Sequence, residues 1–394
     1  MYKDLRTLAD SLGIAEYPEA LNAVYESIRK DALLSDITGT LEQLHRDYEP
    51  FDTYYDFLLR GAEAVLADEA LLTWLTLGLA YCKDASEGEA IRFPLPALDE
   101  TEARAAFPAL LCALELPEAA RRYRARGFDE AQIRKNLDNL GRNIRVHEIT
   151  QGRVALSTGL YMWMVHYTKA LIFDHMGFNF QVTKWKDEAI LLRHRKSGEY
   201  AFLLLKGNFA ADGRVVGIRG AEDAPALFEA AVEETEDAFI GYRAQGQRVR
   251  TERERFEKRD WEAVLRPGDD VIGFHIPRGA DMTPEHVEAS MAEAVVLMKR
   301  YYPEFDFKFI VCTTWMIDPK LLDVLPENSK IAHFIRHFVV HPSGDTAGNA
   351  CMGYVWPGET CPTEELPEKT SLQRGIKKMM LEGSYIFWTT GIWR

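Results

Sequence analysis

The 394-residue sequence predicts an α+β protein: an all-α domain over residues 1–150, then a mixed-sheet domain over residues 151–394. The first ground is length, since a chain this long exceeds what one hydrophobic core usually covers. The second is texture: residues before 150 read as helices, and strand-like runs begin only past Gln151-Gly152. The third is order. The last third alternates strand, helix, strand, helix with short connections, which sets two parallel strands side by side.

In the first domain Pro50 closes one helical segment, and residues 51–83 continue as an apolar helical region. Residues 101–126 form another, interrupted by Pro108 and Pro117. Between them, residues 84–96 hold charges, Gly88 and two prolines, the composition of a loop. Asp129 is placed to cap a helix whose Ile133, Leu137, Leu140 and Ile144 recur at +4, +3, +4 as one buried stripe.

The second domain opens with an aromatic-rich helix over residues 160–173. Runs 178–185, 189–195 and 200–206 have strand character, and their short polar connections predict an antiparallel meander. Residues 215–218 are a further strand candidate, and residues 223–265 read as helical and charged. Residues 271–276 form a strand. Thr283 caps the next helix with Pro284 at its first position, and Val287, Met291, Ala294, Met298 and Tyr301 mark its buried side. Residues 307–313 form the second strand of the pair. Residues 319–338 are helical with a break near Pro326, residues 339–341 and 352–356 are short strands, and a helix (371–382) and a strand-like run (385–390) close the chain.

Composition narrows the function classes. At 47% hydrophobic, 27% charged and 11% aromatic, the chain has ample material for real cores. A net charge of −14 repels nucleic-acid phosphates and anionic lipids, so neither is an expected partner. The densest basic stretch, residues 243–259, is interleaved with Glu252, Glu254 and Glu257 and reads as a solvated helix face. The start, Met1-Tyr2-Lys3-Asp4-Leu5-Arg6, lacks the apolar stretch of a signal peptide. Runs 70–82 and 159–173 are too short to span a bilayer and read as buried helices. Cys82, Cys112, Cys312, Cys351 and Cys361 are sparse, odd in number and without close spacing. Reduced thiols and a cytoplasmic setting are therefore expected.

Three stretches carry a family resemblance. They are Gly268-Asp269-Asp270-Val271-Ile272-Gly273-Phe274-His275-Ile276-Pro277-Arg278-Gly279, then Cys312-Thr313-Thr314-Trp315-Met316-Ile317-Asp318-Pro319 with Leu325-Pro326-Glu327-Asn328-Ser329-Lys330-Ile331 and Phe334, and Thr370-Ser371-Leu372-Gln373-Arg374. In order and spacing these motifs resemble a bacterial family described as acyltransferase domain-containing proteins, with a helical N-terminal domain and a GNAT-like C-terminal domain. The resemblance is specific over roughly residues 150–394. It implies an acyl-CoA or acetyl-CoA co-substrate and a small-molecule, amine acceptor, with no metal. It also implies that pantetheine lies between two diverging strands (271–276 and 307–313) and that pyrophosphate rests on the helix tip after the first. The helical domain would cover the cleft and shape the acceptor site.

Residue by residue, each candidate has a functional and a structural reading. Loop 277–283 offers Arg278, Gly279 and Ala280 to a phosphate. It departs from the usual glycine-richer GNAT loop, however, Asp281 opposes an anion, and the alternative is an ordinary capped turn. His275, late in the first strand, is the candidate base, against a hydrogen-bonded structural histidine. Backbone amides around Phe274 and Ile276 would hold the developing oxyanion. Cys312 is a candidate nucleophile, against a buried core thiol. Trp315 either lines the substrate pocket or packs. Asn328 and Ser329 either contact pantetheine or cap a helix. His333, His337 and His341 recur every four residues, which invites a metal reading. Helix phase sets His333 and His337 opposite the apolar face formed by Ile331, Phe334, Ile335 and Phe338, toward solvent, and Pro342 makes His341 extended. Two functions follow: an acyl-CoA-dependent N-acyltransferase, or a non-catalytic ligand-binding or scaffold protein on the same frame. A cysteine-dependent hydrolase through Cys312 is a third.

Overall fold

The computed structural model describes residues 2–28, 34 and 36–394; Met1, the first residue of the start read for a signal peptide, lies outside them. The chain forms two compact units, Met1–Asp174 and His175–Arg394. The change of texture at Gln151-Gly152 marks the end of a helix, where Gly152 takes a left-handed cap (φ 71°), and not the boundary of a unit. The aromatic helix that follows belongs to the helical unit, where the Tyr161 hydroxyl donates to the Ala90 carbonyl (3.0 Å).

The first unit contains α1 (Leu5–Ser11), α2 (Ala20–Ile28), α3 (Ile37–Tyr48), α4 (Tyr55–Leu66), α5 (Glu69–Asp84), α6 (Glu87–Ala90), α7 (Glu102–Ala125), α8 (Glu130–Leu137), α9 (Asn139–Gln151) and α10 (Thr158–Thr168). The apolar region 51–83 is two helices rather than one. The Asp68 carboxylate accepts from the amides of Ala70 and Leu71 (2.9 and 3.0 Å), which lets a new helix start there. Conversely, α7 runs unbroken through Pro108 and Pro117. Almost every residue from Ala103 to Leu116 is buried, so packing outweighs the roughly 3 kcal/mol that each internal proline costs. Gly61 of α4 sits against α7, where a Cβ would lie 2.2 Å from that of Ala106. Asp129 caps α8 through Gln132 N (2.8 Å), as expected. Ile133, Leu137, Leu140 and Ile144 are all fully buried, although the stripe spans two helices joined at Asp138.

The principal sheet has six strands in the order β1, β2, β8, β9, β11, β10. They are β1 (Ile172–His175), in which the division between units falls, β2 (Phe178–Lys184), β8 (Asp270–His275), β9 (Ile310–Thr314), β10 (Phe338–Pro342) and β11 (Thr389–Trp393). β1 occupies the end of the run read as helix, because α10 stops at Thr168 and Ala170 turns the chain with φ 51°. Of the expected meander, only β3 (Ala189–His194) and β4 (Tyr200–Leu204) pair with each other. β2 pairs along its length with β8, nearly ninety residues on.

The stretch 223–265 is not helical. It folds into short strands, among them β5 (Ala238–Gly241), β6 (Glu254–Glu257) and β7 (Trp261–Leu265). Its charges pair across strands and turns, Arg255 with Asp237 (2.8 Å) and Lys258 with Glu234 (3.0 Å), while Phe239 and Phe256 point inward. Residue 215 contributes only a bridge to Phe209. Residues 352–356, expected as a strand, contain the short helix α13 (Met352–Val355). Between β8 and β9 lies α11 (Pro284–Tyr301). α12 (Lys330–Ile335) follows β9, and α14 (Ser371–Leu381) opens with a Thr370–Gln373 capping box. All five predicted buried positions of α11 are buried.

Candidate active site

β8 and β9 are parallel and pair only at Ile272↔Ile310 and Gly273↔Val311. Bonds from Lys308 N to Asp270 O and from Ile272 N to Phe309 O (both 2.9 Å) close the lower end. Beyond them both strands continue, to His275 and Thr314, without further registered pairs. Backbone polar groups alternate between a strand's two edges. Those of Asp270 and Ile272 face β9, so those of Phe274 face it too, and the Phe274 N–H closes the pair Gly273↔Val311 by donating to the Val311 carbonyl. Beyond that last bond the strands part, leaving a slot edged by the Phe274 carbonyl, and Ile276 follows two residues on.

Side chains alternate likewise. Phe274 points to the face of the sheet that carries α12, packing on Phe180, Phe178 and Phe334. His275 points to the other face with Gly273, half-buried, its Nε2 2.9 Å from Gln181 Oε1. Gln181 is 6% exposed and opposes Gly273 across the β2–β8 ladder. A Cβ on Gly273 would meet His275 Nε2 at 3.2 Å and Gln181 Cβ at 3.3 Å, so the glycine is what admits the contact. If Nε2–H donates to the amide oxygen, Nδ1 carries the lone pair. Gln181 escaped sequence reasoning. The alternation Asn179, Gln181, Thr183 on one side of an otherwise apolar strand was a usable signal, but the partner strand was not known.

Across the slot, on the same face, Thr313 Oγ1 lies 3.1 Å from Thr390 Oγ1 of β11. Thr390 also bonds Asp187, whose carboxylate is 3.2 Å from Nε2 of buried His341. Burial pushes the Asp187 carboxyl up, but the adjacent His341 imidazole, with Thr390, outweighs it and holds the group below its ordinary value. His341 is extended, as expected, and Nδ1 donates to the Pro342 carbonyl (2.8 Å).

After β8, Pro277–Ala280 is a β-turn. Ala280 N bonds Pro277 O (3.2 Å), and Gly279 has the positive φ (82°) its third position requires. Arg278 and Gly279 are exposed. Thr283 occupies the N-cap position of α11, but its side chain makes no capping bond. Asp281 instead accepts from Thr283 N (3.0 Å) and pairs with Lys330 (3.3 Å). With Pro284 lacking a donor, the amides of Glu285 and His286 remain without partners inside the helix. Ser329 is the N-cap of α12, accepting from Ala332 N (3.1 Å), and Asn328 beside it is exposed.

Two candidates lie away from the site. Cys312 is 2% exposed, and burial drives its thiol far above the ordinary range, so it is a core residue and not a nucleophile. Trp315 is 5% exposed and packs with Leu321, Ile335 and Trp356 instead of lining a pocket. His333 and His337 do not face open solvent. Both are half-buried, and His337 stacks on Trp393 at 4.4 Å between ring centroids.

A family model described as GNAT-like C-terminal domain matches residues 180–393, and one described as N-acyltransferase N-terminal domain matches residues 56–170. Among solved structures the chain is similar to an acyltransferase in complex with decanoyl-CoA, at 16% identity over 99% of this chain and 98% of that one (TM-score 0.66). It is similar to an acyltransferase mutant in complex with octanoyl-CoA, at 16% identity over 99% of each chain (TM-score 0.66). It is also similar to an acyltransferase in complex with decanoyl-CoA and teicoplanin, at 16% identity over 99% of this chain and 98% of that one (TM-score 0.65). No curated protein matches the chain. At this identity the structures establish the fold: a helical N-terminal region and a GNAT-like mixed-sheet domain.

Proposed function

The chain belongs to the GNAT-like C-terminal domain family, and from that premise we propose that it is an acyl-CoA-dependent N-acyltransferase acting on a small-molecule amine. The observation that carries this reading is the ladder between β8 and β9, which ends at Gly273↔Val311 and opens a slot beyond its last donor, the Phe274 N–H. The thioester arm enters the slot. The acceptor amine attacks the thioester carbonyl, a C–N bond forms, the C–S bond breaks and CoA leaves as the thiol. The amide of Ile276, beyond the end of the ladder, stabilises the oxyanion, whereas that of Phe274, the other sequence candidate, is already given to the Val311 carbonyl. His275, oriented by Gln181, takes the amine proton through Nδ1. Arg278, Gly279 and Ala280, with the first amides of α11, receive the pyrophosphate, and Asn328 and Ser329 border the pantetheine.

The neighbours in complex with decanoyl-CoA, octanoyl-CoA and teicoplanin support an acyl-CoA donor and a small-molecule acceptor here. Unpaired cysteines support a reducing, cytoplasmic setting. Among the described residues, no single helix is long and apolar enough to cross a membrane.

The non-catalytic reading draws on one observation: Asp281, not a ligand, accepts from Thr283 N at the tip of α11. The two part on one measurement. Decanoyl-CoA at 100 times its Kd should stabilise the protein by about 2.7 kcal/mol, and adding an amine panel should release thiol. The His275→Ala variant should keep the stabilisation and lose thiol release. No stabilisation by acetyl-, octanoyl- or decanoyl-CoA would sink the acyl-CoA reading. Stabilisation without thiol release for any amine would favour the non-catalytic one.

A further inference from the structure

We infer that Glu288, His333 and His337 form a binding site for a divalent transition-metal ion of the zinc class, on the face of the sheet away from His275. One carboxylate oxygen and one nitrogen from each imidazole all lie within 4.8 Å of one another. The shortest of these contacts for which an ion pair forms is His337 Nε2 to Glu288 Oε1, at 3.4 Å. The two imidazole centroids are 5.0 Å apart. The three groups come from separate places in the chain. Glu288 is in the second turn of α11, His333 is in α12, and His337 is in the segment between α12 and β10.

The arrangement is partly built before any ion arrives. His337 lies flat on Trp393 of β11, with 9° between the ring planes. His333 is held within α12, capped by Ser329. Glu288, with half its side chain exposed, and the half-buried His333 imidazole have room to adjust. Metal–nitrogen and metal–oxygen bonds near 2.0–2.2 Å put tetrahedral ligand atoms roughly 3.4 Å apart. The Glu288–His337 contact already has that spacing, so what remains to close is the approach of the His333 imidazole to the other two groups. The guanidinium of the neighbouring Arg394 donates to the Arg336 carbonyl (2.6 and 3.1 Å).

Two imidazoles and one carboxylate suit zinc, cobalt, nickel or copper, while calcium and magnesium prefer all-oxygen sets. Three protein ligands leave a fourth position for water. Beside the cluster runs a groove of about 350 Å³ lined mainly by Met291, Val295, Ile310 and Trp393. The ion would pin α11 to α12, the two helices whose tips border the slot. The site takes no part in acyl transfer, and its test is independent of that reading.

Metal-free full-length protein is titrated with Co²⁺, following the visible absorption of tetrahedral cobalt, and then with Zn²⁺ as competitor. One equivalent of cobalt should bind and Zn²⁺ should displace it. His333→Ala, His337→Ala and Glu288→Ala should each weaken binding by at least about tenfold, with far-UV circular dichroism confirming that they fold. His45→Ala, in the helical unit, should not. Absence of tetrahedral absorption up to 1 mM Co²⁺, on the order of the weakest useful affinity, would overturn the site. So would unchanged affinity in the folded variants, or an anomalous zinc peak elsewhere in a soaked crystal.

Discussion

Gly273 holds a place that no other residue can take without moving the candidate base. Its φ is unexceptional, so the constraint is space and not backbone strain. Gly273→Ala would set a methyl 3.2 Å from His275 Nε2 and separate it from Gln181. We expect acyl-CoA affinity to be kept and kcat to fall about a hundredfold, the scale of an ångström's misplacement; paired Kd and kcat measurements check this. A drop in affinity with kcat unchanged would show that the glycine serves the slot and not the base. The Asp187–His341 pair makes a second prediction at this scale. The folded carboxyl titrates below its ordinary value. Its contribution is therefore present above the unfolded pKa and is lost as pH falls through the folded one. The urea midpoint of the protein should exceed that of Asp187→Asn near pH 6, and the gap should shrink between about pH 5 and pH 3. A gap that widens on acidification would reverse the assignment.

The helices of the first unit show two ways in which local rules yield to context. α7 keeps two prolines because burial on nearly every side outweighs their cost. α4 and α5 separate because Asp68 offers an N-cap better satisfied than a continuing helix would be. At Gly61, α4 comes close against α7. Gly61→Ala would raise helix propensity by up to about 1 kcal/mol. It would also drive a Cβ to 2.2 Å from that of Ala106, and overpacking of this kind costs about 1–3 kcal/mol. The expected net effect is destabilisation, measured as a lower urea midpoint with an unchanged slope. A rise in midpoint would mean that α4 can shift outward at little cost.

For the whole molecule, the informative feature is which strands meet. β2 was legible as a strand, and its polar residues 179, 181 and 183 alternate with apolar ones, yet nothing local distinguishes β3 from β8 as its partner. That pairing brings Gln181 to Gly273 and His275. The charged stretch 223–265 misled for a related reason. Its strands are two to five residues long, too short for a period of two to stand out, and its ion pairs close across turns that spacing does not reveal. His333 and His337 were set toward solvent, but both are half-buried, His337 lies beyond the end of α12, and Glu288 comes from α11, so the cluster existed only after packing.

Local chemistry alone therefore determined the α+β class, the helical first part, the strand–helix–strand that frames the slot, the capping at Asp129 and Ser329, and the positions of His275 and Phe274 within that frame. These depend on periodicities and caps that act over a few residues. Tertiary structure decided the division at Asp174, the partner of β2, the burial that removes Cys312 and Trp315 from the chemistry, and the end of the β8–β9 ladder at Gly273↔Val311. Each depends on groups far apart in the chain meeting in a common core, where burial and register act on sums of contacts that no short window of sequence contains.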